Sequence, residues 1–258
     1  MKKVLLASLT TTLFLYGTSA QATPFGDNIT IDDNRSSSSN SWYNGSEDNE
    51  VEPDMLRAQQ WDMEGMFLDG NLLTVVGGFD QVNGVTNGGY TYRSGDLFID
   101  TDGDAQYGVA GATLRNGYDY VFDLNFTGST YTYDIFNINN GSTISLLDVI
   151  DYNAPESSPW RYESGGTYVG SGNLAYSTYS NDDLGLGFTG TTHYTFTVDL
   201  TSLGLGTDFI AHYTMECGND NLMAAGTTPV PEPATMFLFG TGLASLAGIS
   251  RRRKIKKA

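Results

Sequence analysis

The sequence predicts an all-β fold, a single antiparallel β-sandwich or jelly-roll-like domain. Three observations carry this expectation. Short runs of β-branched and aromatic residues recur through the middle of the chain. Several of them alternate apolar with polar residues, the period of a half-buried strand. Clusters of Gly, Asn, Asp and Ser separate them, and no segment between the two ends sustains the 3.6-residue period of a long helix.

In chain order, Asn71 to Val76 (Asn-Leu-Leu-Thr-Val-Val) is a β-branched run ended by Gly77-Gly78. Asp96 to Asp100 makes a short strand closed by an Asp102-Gly103-Asp104 turn. From Tyr118 to Phe126, residues 118, 120, 122, 124 and 126 share one face, while Asp119, Val121 and Asp123 take the other. Tyr131, Tyr133 and Ile135 alternate with Thr132, Asp134 and Phe136. Gly165 to Gly190 is rich in Gly, Ser and Tyr and carries only a weak strand signal. Thr192 to Leu200 and Asp208 to Met215 close the domain, which is expected to span 55–226.

The flanks differ from this body. Residues 1–22 read as a signal peptide: Lys2 and Lys3, a mainly apolar stretch from Val4 to Tyr16, then Ala20-Gln21-Ala22 at the cleavage positions. That core is too short to span a bilayer, which takes about 20 apolar residues. Residues 23–54, with a run of serines from Ser36 to Ser39, read as a flexible Ser/Asn/acidic segment on which Trp42 and Tyr43 are placed to dock. At the far end, Pro229-Val230-Pro231-Glu232-Pro233 interrupts any preceding structure, because proline blocks both helix continuation and strand pairing. An uncharged helix is expected over 234–250, at the lower limit for spanning a membrane. The basic tail 251–258 follows at once and stays on the cytoplasmic side.

Removing these ends changes the charge. The whole chain of 258 residues carries a formal −17 from 13 basic and 30 acidic residues. Two of the basic residues lie in the leader and six in the tail. Residues 23–230 therefore hold five arginines, no lysine and 29 acids, a net of −24. Such a field repels nucleic acid, whose binding needs clustered Lys and Arg. It keeps chains apart in solution and attracts cations. One cysteine, Cys217, excludes an intrachain disulfide.

Chemical constellations are few. Asp100, Asp102 and Asp104 alternate around a tight turn, and with Asp96 or a partner from another strand they are a candidate Ca²⁺ site. Position six of this loop is Ala105 and position twelve is Gly111, so it is no EF-hand. An acidic β-turn accounts for the same residues. Asp62 and Glu64 are placed on one strand face, yet two carboxylates without a cleft do not make a glycosidase. His212 and Cys217, five apart on a strand, face opposite ways and so form no nucleophile–base pair. With His193 and His212 alone, a histidine-rich metal site is excluded.

Two resemblances add to this reading. Val230-Pro231-Glu232-Pro233, the short apolar helix and the Arg251-Arg252-Arg253 cluster resemble the PEP-CTERM sorting signal of Gram-negative bacteria. The segment from His212 to Asp220 resembles the closing segment of several PEP-CTERM surface proteins. What this implies is export through the Sec translocon, transient anchoring in the inner membrane and processing by an exosortase. Release to the cell surface or exopolysaccharide matrix would follow. Trp61 to Phe67, Leu72 to Val76 and Ser94 to Asp100 are loosely similar to the opening of extracellular β-sandwich modules, CBM9-like carbohydrate-binding domains among them. The expected function is therefore a non-enzymatic surface or matrix protein with an acidic β-sandwich. A Ca²⁺-dependent carbohydrate-binding module is the alternative, and a polysaccharide hydrolase comes third.

Overall fold

A computed structural model describes residues 24–31, 55–105, 117–139, 144–150, 157–188, 190–204 and 206–229. The strands are β1 (Asp27–Asn28), β2 (Met63–Asp69), β3 (Leu72–Gly77), β4 (Val85–Asn87), β5 (Tyr90–Tyr92), β6 (Leu97–Asp100), β7 (Tyr120–Asn125), β8 (Thr132–Asn137), β9 (Ser145–Leu147), β10 (Arg161–Ser164), β11 (Thr167–Asn173) and β12 (Ala175–Tyr179). One helical turn, α1 (Asn181–Leu184), precedes β13 (His193–Asp199), β14 (Asp208–Thr214) and β15 (Asn221–Thr227).

All pairings are antiparallel. One sheet runs β1-β2-β3-β13-β12 and the other β11-β8-β7-β6-β14-β15, with small hairpins β4-β5 and β9-β10. The alternation of side chains turns these into a sandwich. Met66, Leu73, Val75, Phe196 and Val198 from the first sheet share one buried cluster with Leu97, Ile99, Phe122, Ile135, Ala211 and Tyr213 from the second. The all-β sandwich predicted from the sequence is thus observed, with no closed barrel among the described residues.

Both outer faces are partly covered as well. Phe98, Tyr118, Val121, Ile138 and Leu146 form a second cluster outside the six-stranded sheet. Tyr118 therefore does not continue the inward row of Phe122 and Leu124, because it precedes the start of β7. On the outside of the other sheet, Phe67, Val76 and Leu184 pack with Phe25, Tyr179 and Phe188.

Residues 24–31 depart from the flexible segment expected over 23–54. β1 pairs with β2, the Ile29 N–H bonds Met66 O at 3.0 Å, and the Ile31 N–H bonds Met223 O at 2.8 Å. This short segment joins β2 of one sheet to β15 of the other, covering two edges that would otherwise present unpaired main chain. The remainder of the expected flexible segment, with Trp42 and Tyr43, lies outside the described residues. So do the leader, Val230 to Pro233, the expected helix 234–250 and the Arg251 to Arg253 cluster. No helix among the described residues is long and apolar enough to cross a membrane.

Gly95 is required by close approach. A Cβ on Gly95 would lie 2.3 Å from Trp160 O and 2.4 Å from Thr214 O. The next residue, Asp96, uses that proximity to tie β6 and β7 to the segment leading into β10, as its hydrogen bonds show below.

Candidate functional site

The expected cation-binding set is divided by the fold. Asp96 stands before β6, Asp100 ends it, and their side chains do different work. The Asp96 carboxyl accepts Leu124 N–H at 2.9 Å through one oxygen and Tyr162 N–H at 2.8 Å through the other, and its own N–H bonds Trp160 O at 2.7 Å. Burial and the Asp123 carboxylate push its pKa up to about 8, against the pull of those two N–H bonds and of Arg161. Asp96 is an internal clasp.

At the other end of β6, carboxylate oxygens of Asp100, Asp102 and Asp119 all lie within 4.8 Å of one another. Asp104 is outside this group, while its N–H bonds Asp102 Oδ1 at 3.2 Å. Asp119 is the partner from beyond the loop that the sequence did not name. Asp100 Oδ1 accepts the N–H groups of Asp102 and Gly103 at 3.0 and 2.8 Å, and Oδ2 accepts that of Ala105 at 3.0 Å. Asp119 Oδ2 accepts Thr101 N–H at 2.8 Å, and its Oδ1 accepts from the Asn139 amide. In this geometry the carboxylates build the turn themselves.

Glu64 and Asp62 do not share a strand face. Asp62 precedes β2, and the register shifts between Met63 and Gly65, which puts Glu64 at a bulge. Glu64 and His193 are almost wholly buried, 1% and 0% exposed, with Oε2 and Nδ1 2.5 Å apart. Asn181, at the start of α1, donates from Nδ2 to Gly190 O at 2.7 Å, which turns its Oδ1 toward His193 Nε2 at 2.6 Å. Nε2 must therefore carry a proton, and one further proton lies between Nδ1 and Glu64. Burial pushes the Glu64 carboxyl up to about 8 and the His193 imidazole down, so the neutral form of each is favoured. This pair had no signature in the sequence, because 129 residues separate its members.

His212 and Cys217 lie in different places. The His212 Nε2–H donates to Pro159 O at 3.0 Å and its ring stacks on Tyr118 at 5.6 Å, outside the six-stranded sheet. Burial pushes its pKa down to about 4. Cys217 is buried in the cluster between the sheets. β14 is also not the last strand: after the turn through Gly218 the chain returns as β15, antiparallel to β14.

A polar cleft of about 650 Å³ opens at the Asp96 end of β6. Its wall includes Gln81, Arg93, Asp123, Phe126, Asp134 and Arg161. Sequence reasoning missed it, since these residues come from five separate segments.

The pair of Glu64 and His193 makes folding pH-dependent. Unfolded, the two groups titrate at their ordinary 4.5 and 6.5. Between those values the unfolded pair holds one proton, as the folded pair does, and the contribution is maximal. Above 6.5 the unfolded pair holds none while the folded pair keeps one up to about 8, so stability falls by about 1.4 kcal/mol per pH unit. Below 4.5 the unfolded pair holds two, and stability falls as pH falls. Glu64→Gln keeps an acceptor for Gln59 and gives a permanent donor to His193 Nδ1. Thermal melts of E64Q between pH 6.5 and 8 are expected to decline less than those of the unaltered chain. Parallel curves would contradict the shared proton.

Residues 229–254 match the family model described as the PEP-CTERM protein-sorting motif. No curated protein and no solved structure matches the chain, so the likeness of residues 61–100 to CBM9-like modules has no counterpart there. The matched motif implies Sec export, transient membrane anchoring, processing by an exosortase and arrival at the cell surface. The chain is an exported protein bearing a PEP-CTERM sorting signal.

Proposed function

We propose that this is a non-enzymatic surface or exopolysaccharide-matrix protein of a Gram-negative bacterium, its acidic sandwich delivered by exosortase processing. The sorting motif over 229–254 is the observation that carries the reading. The body supports it by what its reactive groups do. Glu64 and His193 are sealed against each other, and His212 and Cys217 sit in separate clusters. A body of net −24 without lysine suits an exported protein that must stay dispersed until it reaches its matrix.

The test is fractionation of cells expressing the full chain with and without the exosortase, beside a Glu232→Ala variant. The unaltered chain is expected at the surface with its tail removed. E232A, or loss of the exosortase, is expected to leave an uncleaved form in the inner membrane. Equal mass and location in all three would contradict the reading.

The convergence of Asp100, Asp102 and Asp119 favours a second reading, a Ca²⁺-dependent carbohydrate-binding module. A ligand that binds only the folded state raises the melting temperature. On this reading millimolar Ca²⁺ raises Tm, and Asp119→Asn abolishes the rise. A Tm indifferent to Ca²⁺ removes it.

A further inference from the structure

The polar cleft combines four features that together point to a ligand. Gln81 forms part of its wall, is only 3% exposed, and neither its Nε2 nor its Oε1 has a hydrogen-bond partner. An amide left in that state destabilises the fold, so a group that completes its bonds on arrival gains what the fold forgoes. Arg93 and Arg161 both line the cleft, although residues 23–230 contain only five arginines in all. Asp123 and Asp134 line it too, making the cleft formally neutral inside a body of net −24. Finally, the half-buried ring of Phe126 lies in the wall, set against Tyr131 at 5.8 Å and Tyr176 at 6.4 Å.

The ligand follows from this chemistry. Arginine offers donors only, ionised aspartate acceptors only, and the Gln81 amide one of each. Hydroxyl groups, which donate and accept at once, satisfy all three. An aromatic face suits the C–H face of a sugar ring, and a volume of about 650 Å³ falls within the range of small-ligand sites, about 300–1,000 Å³. A polyanion would meet the repulsion of the surrounding carboxylates. We propose that this cleft binds a neutral, hydroxyl-rich saccharide.

The site is built by the fold. Asp123 and Leu124 enter it from β7, and Arg161 from β10, the two elements that the Asp96 carboxyl holds together. The Gln81 segment is fixed independently: Asp80 Oδ1 accepts the N–H groups of Val82 and Asn83 at 2.9 and 3.0 Å and the Tyr176 hydroxyl at 3.3 Å. The acidic loop of Asp100 lies at the opposite end of β6 and takes no part.

This deepens the matrix reading by naming a site and a ligand class, and rests on that reading only for where the sugar would be met. The experiment is calorimetric titration of the full chain with neutral oligomers of glucose, galactose and mannose, and with uronic-acid oligomers alongside. At least one neutral series is expected to bind, about tenfold more weakly in Arg93→Ala and in Gln81→Leu. Gln81→Leu also removes the unpaired amide, so its Tm is expected to rise by a few degrees while binding falls. A structural glutamine would do the reverse. Absence of binding to every neutral series overturns the proposal, as does binding untouched by both variants or a preference for the uronic acids. A mislocalised chain that still binds sugar would fault the sorting reading alone, whereas a correctly sorted chain that binds none would fault the cleft alone.

Discussion

The hydrogen bonds of one buried carboxyl organise the six-stranded sheet and what lies against it. Asp96 reaches Leu124 in β7 with one oxygen and Tyr162 in β10 with the other, while its N–H reaches Trp160. Gly95 makes this possible by leaving room for the Trp160 and Thr214 carbonyls. Through these bonds the β9-β10 hairpin is held over the outer face of the sheet, where Leu146 and Tyr162 join Phe98, Tyr118 and Val121. The same bonds set Arg161 and Asp123 on the wall of the polar cleft. A sheet buried on both faces and a shaped site at its end thus share one support.

The acidity of the chain takes different forms inside and outside. Exposed carboxylates repel one another only weakly through water and ions. Those taken inside are spent on main-chain N–H groups or on a neighbour. Asp100 gathers three N–H groups of its own loop, Asp220 accepts Met63 N–H at 2.5 Å, and Glu216 accepts Arg93 N–H at 3.0 Å. Glu64 instead shares a proton with His193. With no lysine in the body, backbone amides supply the pairing of these buried carboxylates.

Much of the fold was legible because strand alternation is a local property. β3, β6, β7, β8, β13 and β14 fall within two residues of the runs read from the sequence. β11 and β12 were obscured by glycine, serine and asparagine, whose strand character there comes from pairing with β8 and β13 and not from propensity. β15 was hidden by Ala224, Ala225 and Gly226, which carry no β signal of their own, Gly226 leaving room for the Phe209 ring and Ile29. The alternating carboxylates of Asp100 to Asp104 are a local feature and legible in the sequence, whereas their outside partner Asp119 is not, since nothing in the spacing joins them. The cleft was invisible for the same reason: Gln81, Arg93, Asp123 and Arg161 become neighbours only after both sheets have formed. The sorting motif, by contrast, is read as linear sequence and needed no fold to be found.

Export and binding therefore rest on different parts of the molecule, a linear tail and a site assembled by the sandwich, and the second depends on Asp96. Asp96→Asn is the direct test. It replaces one of two accepting oxygens with an NH₂ group that cannot accept, facing a main-chain N–H. Hydrogen exchange of the Leu124 and Tyr162 amides is the measurement. Protection of at least one of them is expected to fall sharply in D96N, with the β9-β10 hairpin opening ahead of the β13-β3 ladder. Unchanged protection at both amides would contradict the account.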